Sequence, residues 1–182
     1  MRADAARNVQ ALTTAAKELF DEQGLDVALD EVARRAGVGN ATLYRNFPTR
    51  ADLIVAVYAD EVAELCQRAA ALRMWDMPGE ALFAWLDSFV VHVSTKRALA
   101  LAGTENSSER RTELFGTWHE AMRTVAGELY DQAREAGEVS ADVSVEEILA
   151  LTYAAAIAGN GPEQAQRLLR MMRHGFAGPA AG

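Results

Sequence analysis

The stretch GVGNATLYRNFPTRADL, residues 37–53, combines a glycine-flanked turn with a Tyr-Arg-Asn triplet, and its first acidic residue is Asp52. Two short helices joined by a three- or four-residue turn containing glycine are typical of the helix-turn-helix motif. The pattern predicts a first helix at about 29–36, a turn at 37–39 and a second helix at 40–46.

The second helix of this motif would turn Leu43 and Phe47 inward, since they lie four residues apart and share one helical face. These two side chains would pack against Leu19 and Phe20, which belong to the helix that precedes the motif. The residues left on the outward side are Asn40, Ala41, Tyr44 and Arg45.

The outward side has the chemistry that DNA contact requires, because a short helix in the major groove presents its N-terminal residues to base edges. The Asn40 amide can pair with adenine through two hydrogen bonds, and the Ala41 methyl can lie against a thymine methyl. Tyr44 lies one turn further on, within reach of a phosphate or sugar. The residues predicted to hold the phosphate backbone are Thr42, Asn46 and Arg50. Helix-turn-helix corners also occur in bundles that never touch DNA, so this pattern leaves both interpretations open.

The charge distribution favours a basic surface at this motif. The net charge is −8, but residues 1–50 hold seven basic and seven acidic residues, so the excess of acid lies beyond residue 50. Residues 32–50 contain four arginines and no acid. Such asymmetry between two parts of a chain suggests two roles.

The composition is that of a globular protein, with 182 residues of which 50% are hydrophobic. The sequence contains no run of roughly 18 or more apolar residues, so a membrane-spanning helix is not expected. The N-terminus lacks the apolar stretch of a signal peptide, and Cys66 is the only cysteine. These features predict a cytoplasmic protein.

The hydrophobic spacing predicts an all-α fold of about nine helices, without a strand pattern of useful length. Gly24 is predicted to end the first helix. Capping-box patterns at Thr49 and Ser144 predict the starts of two later helices, and Pro162 is suited to the first turn of the last helix. The helices predicted after the motif span about 49–73, 80–94, a short segment within 95–107, 110–136, 144–158, and the region from Pro162.

The segment EVARRAGVGNATLYRNFPTRADLIVAVY, residues 31–58, resembles the N-terminal domain of TetR-family transcriptional regulators. The matching residues are Val32, Ala33, Ala36, Gly37, Val38, Thr42, Leu43, Tyr44, Phe47, Arg50 and Leu53, with Ala15, Ala16, Leu19, Phe20 and Gly24 upstream. The family often has a threonine at the start of the second helix, where Ala28 and Leu29 stand here. Residues 81–100 resemble an actinobacterial-type TetR C-terminal domain.

The resemblance implies a homodimer that binds a palindromic DNA operator and responds to a small-molecule effector. A DNA-binding domain would cover 1–48, and a ligand-binding and dimerisation domain would cover 49–182. By position, the DNA contacts would be Asn40, Ala41, Thr42, Tyr44, Asn46 and Arg50, with Arg45 beside them.

A pocket for a small apolar or amphipathic molecule is predicted between helices 80–94 and 110–136, because pockets in helical bundles are apolar with a few polar groups. The alternative is that these aromatic side chains are simply core. The predicted lining residues are Trp85, Phe89, His92, Phe115, Trp118, His119, Met122 and Tyr153.

The last two helices carry apolar faces that suit a two-fold four-helix interface. The alternative is that the protomer absorbs these faces in its own core. The predicted interface residues are Ile148, Leu151, Thr152, Ala155, Leu168, Leu169, Met172 and Phe176.

Two other classes of protein fit the sequence less well. An enzyme is disfavoured because the three histidines are scattered, and the sequence indicates no metal or cofactor. A purely protein-binding adaptor would leave the arginine cluster of 32–50 unexplained. The sequence favours a repressor released by its ligand, although it does not encode whether DNA binding represses or activates.

Overall fold

In the computed structural model, the backbone is described for residues 2–104 and 109–174, and side chains are described for 4–96 and 113–174. Within these ranges the chain forms eight helices and no strand, which confirms the all-α class. The helices are α1 (Arg2–Gln23), α2 (Leu29–Arg35), α3 (Asn40–Asn46), α4 (Arg50–Leu72), α5 (Pro78–Thr104), α6 (Glu109–Glu135), α7 (Val145–Ala158) and α8 (Pro162–His174).

The predicted break after residue 94 is wrong, because α5 continues as one helix to Thr104. Residues 80–102 contain neither glycine nor proline, so nothing in the local sequence interrupts the hydrogen-bonded ladder. This continuity replaces the separate short helix predicted within 95–107, whose last residues, 105–107, lie outside the described residues. The chain therefore has eight described helices where about nine were expected.

Both predicted capping boxes are present. The Thr49 hydroxyl accepts the Asp52 N–H at 3.2 Å, while the Asp52 carboxylate accepts the Thr49 N–H at 3.0 Å. At α7, the Ser144 hydroxyl and the Glu147 carboxylate exchange the same pair of bonds at 3.2 and 2.8 Å. These reciprocal bonds satisfy amide groups that lack a partner at the start of a helix, so α4 and α7 begin where the sequence predicted.

The chain divides into two compact units, Met1–Val62 with Ala98–Phe115, and Ala63–Arg97 with Gly116–Gly182. In the first unit, α1, α2 and α3 pack on one another. Their buried residues include Leu12, Leu19, Phe20, Val32, Leu43 and Phe47. Leu53 and Val57 of α4 are buried as well. The inward residues predicted for the helix-turn-helix motif are thus confirmed as core.

The second unit is organised around Trp85, which is fully buried. Its indole N–H donates to the Leu65 carbonyl at 3.1 Å, and its ring stacks on Phe89 at 5.2 Å between centroids. Helices α7 and α8 pack closely across the turn between them. A β-carbon at Gly159 would come within 2.8 Å of the Ala165 amide nitrogen, so this close approach requires glycine.

Candidate DNA interface and candidate ligand site

The helix-turn-helix corner is formed by α2, the turn 36–39 and α3. Gly37 adopts a φ of 66°, a left-handed conformation that glycine reaches at little cost. The Val38 N–H donates to the Ala33 carbonyl at 2.9 Å and closes the end of α2. Neither short helix has a side-chain cap, because Ala28 and Gly39 occupy the N-cap positions. The corner is thus held by its buried residues and its backbone.

The outward side of α3 is exposed as predicted. Asn40, Ala41 and Arg45 are exposed, and Tyr44 exposes 47% of its surface despite its large apolar ring. An exposed aromatic side chain beside an amide and a guanidinium group is a surface that can both stack and hydrogen-bond. We name these four residues the α3 outer face. Their contact with DNA stays a prediction.

The predicted phosphate-binding residues differ in how much of their bonding capacity the protein itself uses. The Asn46 amide donates to the Thr42 carbonyl at 2.7 Å, and the Arg45 guanidinium lies 3.5 Å from the Thr42 hydroxyl. Arg50 is half-buried, and its Nη1 donates to the carbonyls of Leu25 and Val27, both at 2.7 Å. Arg50 therefore ties the start of α4 to the connection between α1 and α2.

The arginine cluster of 32–50 is less basic than its sequence suggests. Arg34 pairs with Glu31 at 3.1 Å, and Arg35 lies between Glu22 at 3.0 Å and Glu18 at 3.5 Å. A hydrogen bond from Arg35 lowers the pKa of the Glu22 carboxyl, and the same bond raises the pKa of Arg35. Among the described residues, Arg34 and Arg35 are thus paired with carboxylates, whereas Arg45 lies on the α3 outer face itself and Arg50 is bonded to neutral carbonyl groups.

The residues predicted to line a pocket are distributed over both units. Phe115 is buried against Tyr58 in the first unit, with ring centroids 4.9 Å apart. Trp85 serves as core in the second unit, where Phe89 stacks on it and where His92 and Met122 are also buried. Trp118 is half-buried and His119 is exposed. The pocket predicted at these residues stays a prediction.

Tyr153 was predicted to line the same pocket, but half of its surface is exposed on α7. It lies on the same exposed side of the helix as Ile157, one turn further along. Tyr153 thus lies on an exposed apolar face of α7, and its place in the predicted pocket stays a prediction.

The residues predicted for the dimer interface differ in how much of their surface the protomer leaves exposed. Thr152, Ala155 and Leu169 are buried within the protomer. Ile148, Leu168 and Met172 are half-buried and Leu151 is exposed, whereas Phe176 lies outside the described residues. The apolar residues that α7 leaves exposed are Ala150, Leu151, Tyr153, Ala154, Ile157 and Ala158, which we name the α7 outer face.

A groove of about 630 Å³ lies within the second unit, between the start of α5, the connection from α6 to α7, and helices α7 and α8. Sequence reasoning missed it as a cavity. Five of its lining residues were predicted as dimer contacts: Ile148, Leu151, Thr152, Leu169 and Met172. Its other walls come from positions such as Phe83 and Glu138, which no spacing rule connects. We name this cavity the α5–α8 groove.

No described helix is long and apolar enough to cross a membrane. Nor do the described residues bring three His, Cys, Asp or Glu side chains together in a way that would hold a metal ion.

The corner with its exposed second helix has the architecture of a helix-turn-helix protein. Residues 12–57 match the family described as bacterial regulatory proteins, tetR family, and residues 77–178 match the SbtR-like transcriptional regulator C-terminal domain. The chain belongs to the TetR family of transcriptional regulators, and the predicted family is confirmed. This family consists of DNA-binding regulators and is not an enzyme family.

Solved structures of similar proteins cover nearly the whole chain. A TetR transcriptional regulator from Streptomyces coelicolor is 35% identical, with a TM-score of 0.77 over 95% of this chain and 99% of that one. A TetR regulatory protein from Mycobacterium vanbaalenii is 36% identical, with a TM-score of 0.76 over 97% and 99% of the two chains. An HTH-type transcriptional regulator from Staphylococcus aureus is 41% identical over 54 residues, which is 29% of either chain. The match to this curated relative thus spans less than a third of its length.

Proposed function

We propose that the protein is a homodimeric repressor that binds a palindromic operator through the α3 outer face and is released by a small molecule bound in its C-terminal region. The observation that supports the proposed DNA contact is that α3 exposes Asn40, Ala41, Tyr44 and Arg45 while its opposite side is buried. A gel shift of a promoter fragment with the purified protein tests it.

The dimer is supported by the composition and exposure of α7. From Ile148 to Ala158 this helix carries no charged residue, and its apolar side chains lie on both the buried and the exposed sides. A helix that is hydrophobic all round is usually buried on all sides. A second copy packed on the α7 outer face would provide that burial and would form a two-fold interface. The two helix-turn-helix motifs, which we call the heads of the dimer, would then contact half-sites about 34–36 Å apart.

Release by a ligand follows from linkage. Suppose that a molecule binds more tightly to a dimer whose heads are not spaced to match the two half-sites of the operator. The factor by which operator binding then weakens the affinity for this molecule is also the factor by which the molecule lowers the affinity for the operator. Helix α4 contributes residues to both units, so it is the proposed lever between ligand and head. In vitro transcription from the bound promoter separates repression from activation, because a repressor lowers transcript yield until ligand is added.

Operator binding is expected to weaken steeply with salt, because phosphate contacts release condensed counterions. A dimer that neutralises about six phosphates should lose roughly 10³-fold in affinity between 50 and 200 mM salt. Fluorescence anisotropy with a labelled operator at several salt concentrations measures the slope. A flat response would contradict the proposed contacts to the DNA backbone.

Arg50→Gln is expected to destabilise the head without changing the salt dependence of DNA binding. The variant loses the two hydrogen bonds to the Leu25 and Val27 carbonyls, and bonds from a charged donor are worth about 1.5–3 kcal/mol each. Urea unfolding should therefore show a lower midpoint. The slope of log K against log salt should match that of the wild type, because Arg50 acts in this scheme on carbonyls and not on phosphates.

Arg45→Gln is the matched control for this prediction. It should lower the salt slope by about one unit for each phosphate that the side chain no longer neutralises, and it should leave the urea midpoint unchanged. If Arg50→Gln lowered the slope as Arg45→Gln does, Arg50 would be a phosphate ligand, as the family resemblance implies.

A further inference from the structure

The α5–α8 groove has the size and the composition of a small-molecule site. Its volume of about 630 Å³ falls in the range of roughly 300–1,000 Å³ that is common for ligand pockets. Most of its walls are hydrocarbon, aromatic or thioether groups, including Met77, Phe83, Val143, Ile148 and Met172. A molecule that fills it must therefore be largely apolar.

One acid in the wall is already paired with an arginine. The Glu80 carboxylate accepts hydrogen bonds from both terminal nitrogens of Arg173, one of them at 3.1 Å. The Arg173 guanidinium also lies 4.4 Å from the centroid of the Phe83 ring. Hydrogen bonding by Arg173 lowers the pKa of Glu80, so this acid stays ionised and paired at neutral pH. The charges of Glu80 and Arg173 compensate each other, so neither requires a ligand of opposite charge.

The other acid, Glu138, is placed at the start of α5. Its carboxylate accepts the Gly79 N–H at 2.6 Å, where the positive end of the helix dipole favours an anion. A β-carbon at Gly79 would lie 2.6 Å from the same carboxylate oxygen, so glycine permits this contact. His174, the remaining titratable side chain of the lining, is exposed at the end of α8. The ionised groups Glu80, Glu138 and Arg173 of the lining thus each already have a hydrogen-bonding partner within the protein.

One hydroxyl group of the lining can orient a ligand in the groove. The Ser140 hydroxyl oxygen accepts the Asp142 N–H at 3.3 Å, which leaves its hydrogen to donate. The Thr152 hydroxyl is fully buried and donates to the Ile148 carbonyl at 2.8 Å, so it is satisfied within the protein. A ligand hydroxyl or carbonyl can accept the Ser140 hydrogen, and it needs no compensating charge.

We infer that the α5–α8 groove binds an uncharged, mainly hydrocarbon molecule that carries a hydroxyl or carbonyl group. A charged ligand would bring an additional charge into an apolar groove whose ionised groups already have partners, and burying an uncompensated charge is costly. This inference rests on the proposed function, since it names the chemical class of the effector. It also places the effector away from the pocket predicted between helices 80–94 and 110–136.

The inference is tested with three probes that share one chain and differ in charge: 1-decanol, decanoate and the decylammonium ion, each below its aggregation concentration. Titration calorimetry on the full chain should show 1-decanol binding at least tenfold more tightly than either charged probe. Tighter or equal binding of decanoate or decylammonium would overturn the inference, as would the absence of 1-decanol binding.

Variants locate the binding site. Ser140→Trp should fill the groove and weaken 1-decanol binding at least tenfold. The control is Ala141→Trp, which changes the next residue of the same exposed connection and should leave 1-decanol binding unchanged, because Ala141 does not line the groove. Phe83→Ala should weaken binding as well, because it removes an aromatic wall. Thermal unfolding of the unliganded variants checks their fold. Unchanged 1-decanol binding in both groove variants would overturn the inference.

The two proposals can fail separately. Operator affinity is measured without ligand. If the protein does not bind DNA but binds 1-decanol, only the proposed function is contradicted. A protein that binds its operator and ignores 1-decanol contradicts only the inference about the groove.

Discussion

Asn40→Ala is expected to reduce operator affinity roughly 30-fold to 10⁴-fold. A bidentate contact between asparagine and adenine is worth about 1–3 kcal/mol, and a dimer makes it twice, so about 2–6 kcal/mol is lost. Each 1.4 kcal/mol is a factor of ten in the equilibrium constant. Because Asn40 is exposed at the first turn of α3, its truncation should leave the protein folded. Fluorescence anisotropy on a selected operator measures the loss.

The matched control is Asn160→Ala, which makes the same chemical change in the exposed turn between α7 and α8. The described hydrogen bond of Asn160 to Gln164 comes from its backbone N–H, so the substitution keeps it. This variant should bind the operator like the wild type. If the two asparagine variants bound equally well, the α3 outer face would not be the surface that reads DNA.

Tyr153→Asp combined with Ile157→Asp is expected to convert the dimer to a monomer. The two side chains are 50% and 40% exposed in the protomer, so the protomer loses little packing. In the proposed dimer, however, four carboxylates would be buried near the two-fold axis. Like charges at an interface cost several kcal/mol, which should weaken association by about 10³-fold or more. Sedimentation at micromolar concentration measures the change.

Met74→Asp is the control for the dimer prediction, because Met74 is 83% exposed in the connection between α4 and α5. It replaces an exposed apolar side chain by a carboxylate outside the α7 outer face, so this variant should remain a dimer. Circular dichroism of both proteins should show unchanged helix content. A double variant that still sediments as a dimer would place the interface elsewhere.

Loss of the dimer should also weaken operator binding, because each head would then have to bind its half-site alone. The monomeric variant should retain the weak, salt-sensitive binding of a single head. This effect separates the two predictions, since Asn40→Ala should leave the sedimentation unchanged while the interface variant affects both measurements.

Residue type and spacing were enough to predict the class of the fold, the starts of α3, α4, α7 and α8, and the inward and outward sides of α3. These features depend on interactions within about one helical turn. The capping bonds at Thr49 and Ser144 join residues three positions apart. Gly37 closes α2 through a conformation of its own backbone. Such short-range features are encoded directly in residue type and spacing.

Which charged side chains are paired and which helix faces are exposed became known only from contacts between distant segments. Arg35 pairs with Glu22 across 13 positions, so residues 32–50 taken alone overstate the positive charge of this surface. Arg50 donates to the Leu25 carbonyl across 25 positions, a contact that no local pattern predicts. Helix α7 is apolar on every side, so its spacing could not show that Thr152 is buried while Tyr153 is exposed. The α5–α8 groove joins segments as distant as Phe83 and Arg173. The physical reason is that contacts between distant segments depend on the path of the whole chain, which no local pattern of residues contains.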